Sequence, residues 1–359
     1  MTPAPTAGLD GLPRENPFSE AAWGTPFALP PFERIRPEHY LPAFEAALSA
    51  HRAEIAAIAG ETAAPSFVNT VAAMERAGLA LDRVAGVFYN LAGSHTNPEL
   101  QAVERTIGPR LARHASAIYL DPDLWARISA IDADAESLGG EERRVLDRYR
   151  TRFRRAGAGL GPEAKLRVAE IAARMSELGT RFSQNLLADE SGFVLPLDGA
   201  DDRAGLPDFL LAAAADAARE RGGAHGHVIT LSRSLIEPFL VFSTRRDLRA
   251  RAYAAWTRRG EGGGATDNRG IIAEIVQLRA ERARLLGFES FAHFKLDDTM
   301  AATPDAAMDL LRAVWTPARE RAVAERDRLQ GLVEAEGGSF ALQAHDWRHY
   351  AEKLRRAEH

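Results

Sequence analysis

The sequence predicts a predominantly helical, all-α protein, relieved by one small two-stranded ribbon near residues 192–231. Three observations predict it. Apolar residues recur at three- and four-residue steps over most of the chain. Asn, Asp, Pro and Gly fall where those periodic stretches begin and end. Only two short apolar runs, Gly192 to Leu197 and His227 to Leu231, are partly β-branched and read as strands.

Residues 1–37 form an N-terminal arm. Pro13, Pro17, Pro26, Pro30, Pro31 and Pro37 deny backbone donors and forbid a continuous helix. Phe18, Trp23, Phe27 and Phe32 sit among them, which points to an arm packed on a helical body and not a disordered tail. Residues 38–190 are a helical region. Leu41, Phe44, Leu48, Ile55 and Ile58 align on a first helix, with His51 filling one slot of the apolar stripe as a core histidine. Pro65-Ser66 punctuates, and one pattern runs from about Asn69 to Gly93. Asn97-Pro98 and Asp121-Pro122 open two more helices, each with a capping side chain and a proline at the first helical position. Residues 141–156 and 162–190 are longer helices. Residues 191–359 continue with the ribbon, an intervening helix from Leu206 to Arg221, and helical period again after Arg245. Thr266-Asp267 caps a helix on which Ile271, Ile275, Leu278 and Leu285 align, and Gly287 ends it. A helix over 304–336 breaks at Gly337-Gly338, and Asp346 starts a last helix to His359.

Composition narrows the function. At 359 residues the chain is long enough for about two domains or one large helical one. A formal charge of −5 provides no global basic field for nucleic acid, and Arg152, Arg154 and Arg155 are too short a run to create one. With no cysteine there is no disulfide, thiolate nucleophile or cysteine-ligated metal. The first ten residues lack the basic and apolar regions of a secretory leader, and no apolar run reaches the ~18–20 residues that span a bilayer. A cytoplasmic protein without membrane or nucleic-acid partners is expected.

Motifs that carry chemistry are few. His345-Asp346-Trp347-Arg348-His349 resembles the His-Glu-x-x-His zinc string. Its acid is one methylene short, and Asp346 as an N-cap would leave His345 outside the helix. His225 and His227 read as a turn or strand start without a third ligand. His39, His95, His114 and His293 lack partners at ligand spacing. Gly260-Glu261-Gly262-Gly263-Gly264-Ala265 fits the loose dinucleotide pattern, but Arg249 to Arg259 before it reads as helix where that pattern needs a strand. Ser232, Ser234 and Ser243 have no nucleophile-elbow context. Glu141-Glu142 and Asp297-Asp298 read as solvated faces or helix ends. No catalytic, cofactor-binding or metal-ligating residue is assigned.

Several strings in order nevertheless resemble one family. They are Asn16-Pro17-Phe18, Pro31-Phe32-Glu33-Arg34-Ile35-Arg36-Pro37-Glu38-His39-Tyr40-Leu41-Pro42-Ala43-Phe44, Pro65-Ser66-Phe67-Val68-Asn69-Thr70, Ser94-His95-Thr96-Asn97 and Ile118-Tyr119-Leu120. Ala255-Trp256-Thr257-Arg258, Asp267-Asn268-Arg269-Gly270-Ile271-Ile272, Leu285-Leu286-Gly287-Phe288 and Asp346-Trp347-Arg348-His349-Tyr350-Ala351-Glu352 continue the series. Together they look like the thimet oligopeptidase-like zinc metallopeptidases, and within them the bacterial peptidyl-dipeptidases.

That resemblance implies the N-terminal part of a two-lobed helical peptidase with a central channel. The complete enzyme would hold zinc, polarise the scissile carbonyl, activate a water and release C-terminal dipeptides from short peptides. The family's zinc motif, third ligand and substrate-binding Tyr and His lie beyond the positions matched here, so no cofactor is expected in this chain. It is expected to be inactive alone and to lack a C-terminal catalytic half. The other reading is a non-catalytic helical scaffold that binds peptides or a partner chain.

Overall fold

A computed structural model describes Leu9 and residues 11–20, 22–134 and 137–358. The fold is predominantly helical, with a single small antiparallel ribbon among the described residues. Contacts divide it into two compact units, Met1–Arg181 with Ile275–Phe291, and Phe182–Glu274 with Ala292–His359.

The first unit is built on α1 (Pro37–Ala59), α2 (Ala72–Arg76), α3 (Leu79–Ser94), α4 (Pro98–Tyr119), α5 (Pro122–Ala130), α6 (Gly140–Ala156) and the start of α7 (Pro162–Gly192). The capping signals act as read. Asn97 accepts from the Leu100 N–H, and Asp121 accepts from Asp123 and Leu124 N–H groups. Tyr40, Phe44, Leu48, Val84, Phe88 and Ile107 bury one core between α1, α3 and α4. Phe18 of the arm closes that core, and buried Asn16 ties the arm to α1 by donating to the His39 carbonyl. Trp23 donates to the Pro17 carbonyl and lies under the Arg83 guanidinium. Phe27 departs from the reading of a fully packed arm, since it is 97% exposed. A second core joins Ile55, Val71, Leu124, Ile128, Leu146 and Phe153.

The single pattern read from Asn69 to Gly93 is broken. Phe67–Val71 is a π-helical turn that leads into α2, and α3 starts afresh after Gly78. Gly78 sits at φ 83°, in the left-handed region that glycine tolerates. A Cβ there would lie 2.9 Å from the His51 ring. The break lets α1 and α3 pack closely.

In the second unit, β1 (Leu195–Pro196) pairs antiparallel with β2 (Val228–Ile229), with Leu195 opposite Ile229. α8 (Asp208–Glu220) lies between them in sequence. α9 (Arg233–Phe242), α10 (Arg246–Thr257), α11 (Arg269–Leu285), α12 (Phe291–Leu296), α13 (Pro304–Ala335) and α14 (Ala344–Glu358) follow. α11 from Ile275 and the first residue of α12 fall in the first unit. Ribbon, α8, α9 and α10 share a core of Leu195, Leu210, Ile229, Ile236, Phe239 and Ala252. Gly287 takes φ 82° just past α11, as its C′ reading requires. α9 and α12 were not among the helices expected. α9 is short and carries Pro238, and its buried stripe of Leu235, Ile236, Phe239 and Leu240 repeats only once. α14 runs to Glu358; His359, residues 1–8 and Asp10 lie outside the described residues. No helix among the described residues is long and apolar enough to cross a membrane.

Candidate functional site

The zinc-like string lies at the start of α14, packed on α9 and α10. The helix begins at Ala344, before Asp346, so His345 and His349 do stand one turn apart within it. Asp346 is therefore not the N-cap. It sits in the first turn and accepts from the Gln343 N–H, at 3.1 Å. A carboxylate can satisfy that N–H from inside the helix as well as from its edge, which is why the boundary was misplaced.

The carboxylate of Asp346 is fully buried and taken by two arginines one turn apart on α10. Arg249, 1% exposed, donates to Asp346 Oδ1 at 2.8 Å and to the Ser243 carbonyl at 2.8 Å. Arg246 donates to both oxygens at 2.9–3.1 Å, and its guanidinium lies 4.0 Å from the Phe340 ring centroid. Burial pushes the Asp346 carboxyl up, but the guanidiniums and the Gln343 N–H outweigh it and hold it below the usual carboxylate range. His349 donates from Nδ1 to the Val241 carbonyl at 2.9 Å. Burial, reinforced by Arg249, lowers His349 to about 4, so its ring is neutral at pH 7. Burial likewise lowers His345.

This arrangement is a clamp, not a metal centre. The acid that would activate a water is occupied by cations, and two guanidiniums would repel a dication at the same place. Among the described residues no three His, Cys, Asp or Glu side chains gather to hold a metal. The residues present do not fit a zinc ion.

The glycine-rich loop follows α10, so no strand precedes it. Its ends are fixed. The Gly260 N–H donates to Asp189, its carbonyl accepts from the Asn268 N–H, and Asn268 reaches back to the Phe182 carbonyl. Asp267 accepts from the Arg269 N–H at the start of α11, while Thr266 belongs to the preceding turn. His225 pairs with Asp198 at 2.9 Å on the surface, and His227 precedes β2 with its carbonyl accepting from the Leu197 N–H. None of these brings two candidate groups to one substrate position.

Residues 239–359 match the model of peptidase family M3. Over 336 residues the chain is 38% identical to a dipeptidyl carboxypeptidase of Salmonella typhimurium, which covers 93% of this chain and 49% of that protein. The chain is similar to members of peptidase family M3. A dipeptidyl carboxypeptidase of Escherichia coli is 37% identical over 333 residues, 92% of this chain and 49% of that one. An oligopeptidase A of Salmonella typhimurium is 32% identical over 336 residues, with the same shares. The chain thus spans about half the length of the curated relatives it matches. The M3 segment contains the whole clamp, from Val241 on α9 through Arg246 and Arg249 to His349.

The first unit holds a pair of groups that the sequence reading did not connect. His51 Nδ1 and His114 Nε2 are 3.0 Å apart. They are 63 residues apart in sequence, so no local spacing could have joined them.

Proposed function

We propose that this chain is the scaffold portion of a cytoplasmic M3 peptidase that cleaves short peptides and releases C-terminal dipeptides, and that these 359 residues do not hydrolyse peptides by themselves. The alignment carries the reading: it runs along 92–93% of this chain but covers only 49% of each dipeptidyl carboxypeptidase. The clamp supports it, because the one zinc-like string is committed to holding α14 on α10. Zinc chemistry would come from residues other than these.

The surface of α13 supports the same reading. Leu310, Leu311, Val314 and Trp315 are each 60–67% exposed on its first half. Such a cluster on one helix suits coverage by further protein better than water.

The test uses the purified chain with added zinc on a blocked tetrapeptide. No dipeptide release is expected, and chelator-sensitive release would overturn the inactivity. The chain is then mixed with the part of the Salmonella typhimurium relative that the alignment leaves uncovered. Chelator-sensitive dipeptide release from the mixture, and from neither part alone, is expected. Leu311→Glu with Trp315→Glu should weaken that rescue more than about tenfold, since each buried side chain of this size contributes about 1.5–3 kcal/mol. Association without any hydrolysis would favour a binding scaffold over a peptidase portion.

A further inference from the structure

We propose that the groove between α1 and α4 is a binding site for a phosphate-type oxyanion, held by Arg52, Arg110 and Arg113 over the paired rings of half-buried His51 and buried His114.

The site follows from helical spacing. Glu45, Leu48 and Arg52 lie three and four residues apart on α1, and Arg110, Arg113, His114 and Ala117 do so on α4. Two such rows facing each other leave a trough, and the trough is a cavity of about 390 Å³. Three guanidiniums line it against one carboxylate, Glu45, which is taken by Arg110 at 2.8 Å. Arg52 and Arg113 have no hydrogen-bonded or ion-paired partner among the described residues. Guanidinium forks match the edges of a phosphate or carboxylate, and two uncommitted forks at one pocket are a recognition geometry for such a group.

His114 is the second observation. It lines the same cavity, is 8% exposed, and its Nδ1 is buried without a partner. Its Nε2 meets His51 Nδ1, so one proton is shared along that contact. Buried polar atoms left unpaired are costly, and a ligand that supplies charge or a hydrogen-bond partner offsets that cost. Gly78 fits the inference, because its missing Cβ is what lets the His51 ring occupy this place.

A bound oxyanion also supplies the counter-charge that the neutral pair lacks. The surrounding charges set the direction. Arg52 on α1 works against a proton on His114, as does His51, while Glu54 on α1 and Asp82 on α3 favour one on His51. Arg110, Arg113 and Glu45 face the pocket itself. A bound anion favours a proton on the pair and the arginines oppose one.

The experiment titrates the whole chain with inorganic phosphate at constant ionic strength and follows the ring nitrogen resonances of His51 and His114. Acetate and chloride are parallel arms. Saturable shifts of both rings with phosphate are expected. Arg52→Gln with Arg113→Gln should weaken them about tenfold or more, on the ~1.5–3 kcal/mol worth of a charge-assisted hydrogen bond. Both arginines are exposed, so the variant should melt like the wild type, which a thermal scan confirms. An equal response to acetate would assign the site to carboxylates, overturning the phosphate preference. A response to chloride of the same size, or phosphate binding unchanged in the double variant, would overturn the site.

Discussion

Removing the Asp346 carboxylate should cost this protein more stability than removing any exposed ion pair. In Asp346→Ala, Arg249, 1% exposed, loses its only carboxylate among the described residues, with carbonyl oxygens of Ser243 and His345 as its remaining acceptors. Arg246 is 38% exposed along its side chain and can turn to water, so its share is discounted. What remains is the penalty for a buried charge without its partner, about 3–5 kcal/mol. Set against a typical total of roughly 5–15 kcal/mol, that is a large fraction. At a urea slope of about 3 kcal/mol/M the unfolding midpoint should fall by about 1–1.7 M, read by circular dichroism. Arg249→Met combined with Asp346→Leu should recover most of the loss, because it removes both charges and fills their space. The folded carboxyl titrates below the ordinary aspartate value of 3.8, so its contribution is present above that pH and is lost as pH falls through the folded value. The wild-type advantage should therefore be intact at pH 7. A loss below about 1 kcal/mol in Asp346→Ala, or a double variant no more stable than the single, would refute the clamp.

Two further outcomes follow from buried groups. His349 and His114 both drop from 6.5 to about 4 on folding, through burial first, then Arg249 for His349 and His51 with Arg52 for His114. The unfolded chain binds these protons more readily, so stability is full above pH 6.5 and is lost as pH falls toward 4. Each residue accounts for up to about 3 kcal/mol, and melting temperatures scanned from pH 7.5 to 4.5 should decline; a flat profile would contradict neutral buried rings. Gly78→Ala puts a Cβ 2.9 Å from the His51 ring at a φ of 83°. Strain of this kind costs about 1–3 kcal/mol, a drop of several degrees in melting temperature, and an unchanged melt would show that the turn relaxes freely.

The helices were legible where the chemistry that ends them is local. Asn97, Asp121 and Gly287 act within three or four residues of themselves, so each boundary is written in the sequence next to it. The ribbon at Leu195 and Val228 was legible too, because two short β-branched runs stand out in a helical chain. Gly78 was not, since an isolated glycine within an apolar period is compatible with an unbroken helix until its φ is known. α9 was missed because its ten residues, with Pro238 among them, let the buried stripe of Leu235, Ile236, Phe239 and Leu240 repeat only once. Long-range pairs were beyond reach for the same reason throughout: nothing near Asp346 signals Arg249, and nothing near His51 signals His114. The string at His345–His349 shows the hazard of local spacing, which set two rings one turn apart while tertiary contacts committed the acid between them to α10.

The clamp also gives the chain a timetable. Arg249 precedes Asp346 by 97 residues. At about 5–20 residues per second, the guanidinium leaves the ribosome roughly 5–20 seconds before its carboxylate is made. During that interval Arg249 on α10 has no carboxylate from α14 to pair with. The pair closes only when α14 arrives, so a ribosome that stalls before residue 346 leaves the Arg249 cation without it.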